Sequence, residues 1–178
     1  MAVRPILDGK VIAVDTETTG LNPWGDIKTR GHCPDRPFAY SFCNENGDTA
    51  YLRFEVSPGT REIVTNQAGL DRVRSVVENP KVHKVFHNRS FDELMMSFQE
   101  VYLVDETTEY GADDTMIMMH IWRGGAEPSF DLKSLSDKYL GISKEDQEDL
   151  LDSVRSSRRS AKLQGYRIAE KETHGPKY

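Results

Sequence analysis

The sequence predicts an α/β domain organised on a mixed sheet, and three observations support that class. The N-terminal third carries three short β-rich runs, two of them joined by an Asn-Gly turn. A helix-patterned stretch then leads into a fourth strand. Three more helix patterns follow, which gives the order β-β-β-α-β-α-α-α. At 178 residues the chain has room for one domain with a substantial core.

The first strand lies within Lys10–Leu21. Val11, Ile12, Ala13 and Val14 are consecutive apolar residues, and Thr/Gly punctuation ends the run, so a buried strand is expected. Side chains alternate along a strand, which puts Asp15 and Glu17 on one face and Thr16 on the other. Two neighbouring carboxylates repel each other unless a cation sits between them. Their oxygens suit a hard divalent ion such as Mg²⁺ or Mn²⁺. The alternative is a strand that merely ends in two solvated acids.

Asn22 to Pro37 holds three prolines and two glycines without periodicity and reads as a loop. Phe38–Cys43 and Thr49–Phe54 are aromatic and β-rich, and the Asn44–Asp48 turn between them makes a hairpin. Thr60–Glu78 has apolar residues at helical spacing and stops at Asn79-Pro80. Val82–Phe86 is a further strand. Phe91–Phe98 reads as a helix with Phe91, Leu94, Met95 and Phe98 on its core face. Asp114 is placed to cap an apolar helix over Met116–Trp122, and Ser129 one over Ser129–Leu140 that ends at Gly141. Residues 1–142 are thus the folded domain. Residues 143–178 form an irregular tail in which seven basic residues from Arg155 to Lys177 face only Glu170 and Glu172. That tail is a solvated linker or, alternatively, a phosphate-contacting arm.

The net charge of −6 argues against a protein that coats nucleic acid nonspecifically. It is compatible with a nuclease, whose metal-binding acids add negative charge. No apolar run approaches the ~20 residues of a membrane span, and the N-terminus has no signal-like apolar region. Cys33 and Cys43 fit a reducing cytoplasm, and with His32 they are too irregularly spaced for a zinc site.

His87-Asn88-Arg89-Ser90-Phe91-Asp92 follows the fourth strand directly, at the strand-to-helix junction where open α/β sheets place ligand sites. Asp92 alone reads as a helix-end carboxylate. The combination carries more. Asp15-Thr16-Glu17-Thr18-Thr19-Gly20-Leu21, then Asn88-x-x-Phe91-Asp92, resembles the DEDD 3′–5′ exonucleases of the RNase H-like fold. Asp114-Thr115-Met116 before an apolar helix, then Asp131-Leu132-Lys133-Ser134-Leu135 to Gly141, resembles the proofreading domain of family-A DNA polymerases of bacteria and phages.

That resemblance implies a five-stranded mixed sheet flanked by helices. It matches Asp15, Glu17 and Asp92 to three of four catalytic, metal-binding acids. Leu21 matches an apolar wedge beside the terminal base, Asn88 and Phe91 match residues that hold the 3′-terminal nucleotides, and Thr18 lies where the backbone passes the terminal 3′-hydroxyl. For Leu21 and Phe91 ordinary core packing is the alternative. The implied chemistry uses two Mg²⁺ or Mn²⁺ ions about 4 Å apart on the scissile phosphate of a single-stranded DNA 3′ end, and it releases nucleoside monophosphates.

The family's third motif, Tyr-x-x-x-Asp or His-x-x-x-x-Asp on a later helix, is not found after Gly141. Tyr110/Asp114 and His87/Asp92 fit by letter only, because Asp114 is needed as a cap and Asp92 already belongs to the second motif. The expectation is an exonuclease domain lacking its last helix. A polymerase domain or a downstream polypeptide then supplies the fourth acid. A non-catalytic module that scaffolds a polymerase on DNA is the rival, and an RNA-trimming exonuclease a third option.

Overall fold

The computed structural model describes residues 6–24, 34–57, 62–109 and 111–142, together with Asp152, Arg155, Ser156, Arg159, Ser160 and Leu163. The chain divides into two compact units, Met1–Pro128 and Ser129–Tyr178.

The first unit is built on a five-stranded sheet. Val11–Thr18 (β1) lies at its centre, between Pro37–Asn44 (β2) and His83–Phe86 (β6); Thr49–Arg53 (β3) and Asp113–Asp114 (β7) form the edges. β1, β2 and β3 pair antiparallel, and β1–β6 and β6–β7 pair parallel, so the sheet is mixed as expected. The Asn44–Asp48 turn holds because Asn44 Oδ1 accepts the amides of Asn46 and Asp48, and Gly47 supplies the positive φ of 84°. Glu55–Val56 (β4) and Ile63–Val64 (β5) make a separate two-stranded ribbon.

β1 is buried on one face only. Ile12, Val14 and Thr16 are buried while Val11, Ala13, Asp15 and Glu17 are exposed, so the four-residue apolar run alternates instead of being enclosed on both sides. The core lies against the first set, where Tyr40, Phe42, Phe54, Val73, Val76, Val77 and Phe86 join it.

Gln67–Val77 (α1) starts later than the apolar spacing predicts, because Ile63 and Val64 are spent on the ribbon and Asn66 caps the helix through Gly69 N at 2.7 Å. Gly69 sits where a Cβ would stand 2.8 Å from Phe54 Cε1, so the ring requires glycine there. Arg89–Ser97 (α2) is rotated from expectation: Asp92, Met95 and Met96 face inward, and Leu94 is exposed. An acid at the buried face was invisible to an apolar-periodicity reading.

Thr115–Arg123 (α3) is capped by Asp114 as predicted, yet Ile117, Met118, Ile121 and Trp122 are exposed. In the second unit, Leu132–Leu140 (α4) is capped by Asp131 through Ser134 N at 2.9 Å; the Ser129 hydroxyl donates to the Asp131 carboxylate and accepts the Asp131 amide. Gly141 ends it with φ 66°, as expected. The described residues of the tail, from Asp152 to Leu163, are helical and exposed, where the sequence pattern predicted irregular chain. No helix among the described residues is long and apolar enough to cross a membrane.

Candidate active site

The parallel pairing of β1 with β6 covers Val11–Ala13 only, whereas the pairing with β2 continues to Thr18. Past Ala13 the β6 side of β1 therefore has no ladder, because β6 has turned into α2. An amide left there needs a partner. Asp92, in the first turn of α2, provides it: Oδ1 accepts the Thr16 amide at 3.0 Å and the Thr16 hydroxyl at 2.7 Å. Both bonds use the same oxygen.

This clamp ties Asp92 to the strand that carries Asp15 and Glu17. Asp15 and Glu17 project together from the exposed face of β1, and Asp92, 3% exposed, reaches the strand from the buried side through Thr16. Asp15 is electrostatically coupled to both other acids. Desolvation and the Glu17 charge push the Asp15 carboxyl up, while the Thr16 amide and His87 oppose the rise. Burial raises Asp92 to about 6 against the Thr16 hydrogen bonds, and the Asp15 charge adds to the rise. Three carboxylates with two of their values elevated form an unbalanced negative site. Such a site is the electrostatic signature of a cation or proton-handling centre.

The donor set fits a hard divalent cation, since every candidate ligand is a carboxylate oxygen and the Thr16 bonds use only Oδ1 of Asp92. Among the described residues no three acidic or His/Cys side chains are drawn tightly enough together to hold an ion.

The helix that carries Asp92 is fixed from behind. Asn88 lies in the left-handed region at φ 70° and gives α2 no side-chain cap. Its amide and that of Arg89 instead donate to Asp114, at 3.1 and 2.8 Å, and the same carboxylate accepts Met116 and Ile117 at the start of α3. Asp114 thus serves two helix N-termini, as the helix-cap reading expects. Tyr110, its partner in the Tyr-x-x-x-Asp match, lies outside the described residues. His87 Nδ1 meets Thr115 Oγ1 at 2.9 Å, and that hydroxyl contacts Phe86 O at 3.0 Å.

The remaining predicted positions line the exits of β1 and β6. Thr18 closes β1 with its hydroxyl on Gly20 O at 2.8 Å. Leu21 is 78% exposed, which rules out core packing for it. Phe91 is half-buried on α2, beside Asn88. Sequence reasoning missed Thr16: a polar residue on the buried face of an otherwise apolar strand was the available signal.

The sequence profile of the 3′–5′ exonuclease family of A-type DNA polymerases matches residues 2–163. The chain belongs to this 3′–5′ exonuclease family. The exonuclease domain also resembles solved structures at low identity, which bears on its fold. The POL domain of Pol1 from M. smegmatis, in complex with DNA primer-template and dNTP, aligns with TM-score 0.53 and 17% identity over 76% of this chain. Brucella melitensis NrnC with bound Mg²⁺ aligns at 0.51 and 18% over 76%, and the same protein bound to pGG at 0.50 and 17% over 76%. The exonuclease chain spans 20% of the Pol1 chain and 55% of the Mg²⁺-bound NrnC chain. No curated protein sequence matches it.

Proposed function

We propose that this exonuclease domain removes nucleoside monophosphates from the 3′ end of single-stranded DNA in a metal-dependent reaction, as the proofreading part of a polymerase. The observation that carries the reading is the Thr16–Asp92 clamp, which holds the acid of the second motif against the strand that bears the first. Divalent ions bound by Asp15, Glu17 and Asp92 would lower the pKa of the attacking water and neutralise the scissile phosphate. Asp15, whose charge acts on Asp92 and which feels that of Glu17, would be the acid shared between ions. Thr16 keeps one Asp92 oxygen occupied and so aims the other. Leu21, Thr18, Asn88 and Phe91 would receive the terminal nucleotides, with an apolar wedge and stacking favouring an unpaired end.

Asp114 does not fill the role of the fourth acid that the resemblance implies. A partner polypeptide or a polymerase domain carrying Tyr-x-x-x-Asp is the proposed source. The test incubates the domain, alone and with such a partner, with Mg²⁺ or Mn²⁺ and a 3′-labelled single strand. Labelled monophosphate is expected, and Asp15→Asn should abolish it. If the paired system releases none, the domain is a scaffold.

A second reading takes RNA as the substrate, favoured by the likeness to NrnC, one of whose structures holds pGG. Matched DNA and RNA strands of equal length separate the two.

A further inference from the structure

Beyond the cleavage centre, an aromatic–cationic cluster stands beside the exit of β1 with no role in the site described above. Trp24 is 69% exposed and meets Phe98 edge-on, with ring centroids 5.2 Å apart and planes at 84°. The Arg36 guanidinium lies 4.1 Å from the centroid of that Phe98 ring. The three residues are held in register. Arg36 NH1 donates to the carbonyls of Pro23 and Asp35, Arg36 N to Thr19 Oγ1, and Thr19 N returns to Arg36 O at 3.1 Å. Trp24 N is fixed by Asn22 Oδ1 at 3.2 Å. The ring is therefore presented on an anchored loop, three residues past the exposed Leu21.

We propose that Trp24, backed by Phe98 and Arg36, is a base-stacking station for an unpaired nucleotide upstream of the cleaved phosphate. Large aromatic faces left in water beside a strand-binding site are what sequence-tolerant single-strand recognition uses, and a guanidinium on the neighbouring ring adds a planar cation. The occupant is a nucleic-acid strand and not a protein, because the cluster is continuous through Thr19 with Thr18 and Leu21. Phe98 follows Asp92 by six residues along α2, about 9 Å of helical rise, which is roughly two to three stacked base steps. The station therefore reads a base that the cleavage centre does not touch. It rests on the reading of that centre as one acting on a nucleic-acid 3′ end.

The experiment is run in EDTA on Asp15→Asn protein, so that binding is scored without cleavage. A Trp122→Phe background leaves Trp24 as the sole tryptophan. Titration with a six-nucleotide single strand should quench its fluorescence, and a dinucleotide should not. Trp24→Ala, scored by fluorescence anisotropy of a labelled six-mer, should weaken binding about tenfold, while Trp24→Phe keeps most of the affinity. Both variants should leave dinucleotide binding unchanged. An unquenched Trp24, or equal six-mer affinity in Trp24→Ala, overturns the station. No hydrolysis by the wild-type domain even with the partner polypeptide present, alongside intact six-mer binding, would count against the nuclease reading and leave the station standing.

Discussion

Asp92 serves two opposed demands. Its helix buries it against Thr16, and any cation-binding role requires it charged. With the folded carboxyl at about 6 against an ordinary 3.8, the group favours the fold most below pH 4, and this contribution is lost as pH rises through about 6. At pH 8 the ionised form then costs the metal-free protein up to about 3 kcal/mol. Asp92→Asn keeps an acceptor for both Thr16 bonds and removes the charge. Its melting temperature in EDTA should exceed that of the wild type at pH 8, and the advantage should vanish near pH 4, while nuclease activity is lost. A variant less stable than wild type at pH 8 would mean that the carboxylate is not strained. Thr16→Val tests the clamp from the other side. Nearly isosteric, it deletes the 2.7 Å bond and should weaken Mn²⁺ binding by calorimetry and lower activity 10- to 100-fold, as loss of an orienting partner does. The acids themselves were legible in the sequence because alternation along one strand is local. The clamp was not, because Thr16 and Asp92 are 76 residues apart.

At the scale of elements, one helix start and one helix end were read correctly, Asp114 and Gly141, from their neighbours alone. Asn66 and Asp131 were missed in favour of earlier starts, because apolar spacing runs through Ile63 and Val64, and Ser129 lies within reach of the same helix end. The second duty of Asp114 could not be read at all. Burial alone would raise its carboxyl, but the amides of Asn88, Arg89, Ile117 and Met116 hold it below the ordinary value. A depressed carboxyl stabilises the fold above its unfolded value, and that contribution is lost as pH falls through the folded one. Asp114→Ala strips caps from α2 and α3 together, so about 2–4 kcal/mol of stability should disappear at pH 7, measured by urea unfolding. It should lower activity more than a surface variant of equal stability, because the first turn it releases carries Asp92. Equal residual activity in the two would confine Asp114 to capping.

For the whole molecule, the mixed sheet and its hairpin followed from β-rich runs and turn residues. The fifth strand did not, since Asp113–Asp114 is two residues long and is defined by its parallel pairing with Val85–Phe86. Net charge gave a further property. At −6 the chain repels a polyanion overall. Several described arginines are already paired with acids: Arg74 with Asp71 and Glu78, Arg89 with Glu93, and Arg123 with Glu127. Single-strand affinity should then come from stacking and bound cations more than from phosphate neutralisation. A protein that contacts many phosphates loses affinity steeply with salt, with a slope of about −0.7 per contact for single strands. For a 12-nucleotide strand in Ca²⁺, a slope of log affinity against log NaCl shallower than about −2 is expected, corresponding to at most about three contacts. A slope of about −5 would place a basic surface under the strand, and the arginine-rich stretch from Arg155 to Lys177 would be the first region to neutralise. If charge reversal there flattened the slope without changing the rate on a dinucleotide, the tail would be the strand's electrostatic anchor and the β1 acids would keep the chemistry alone.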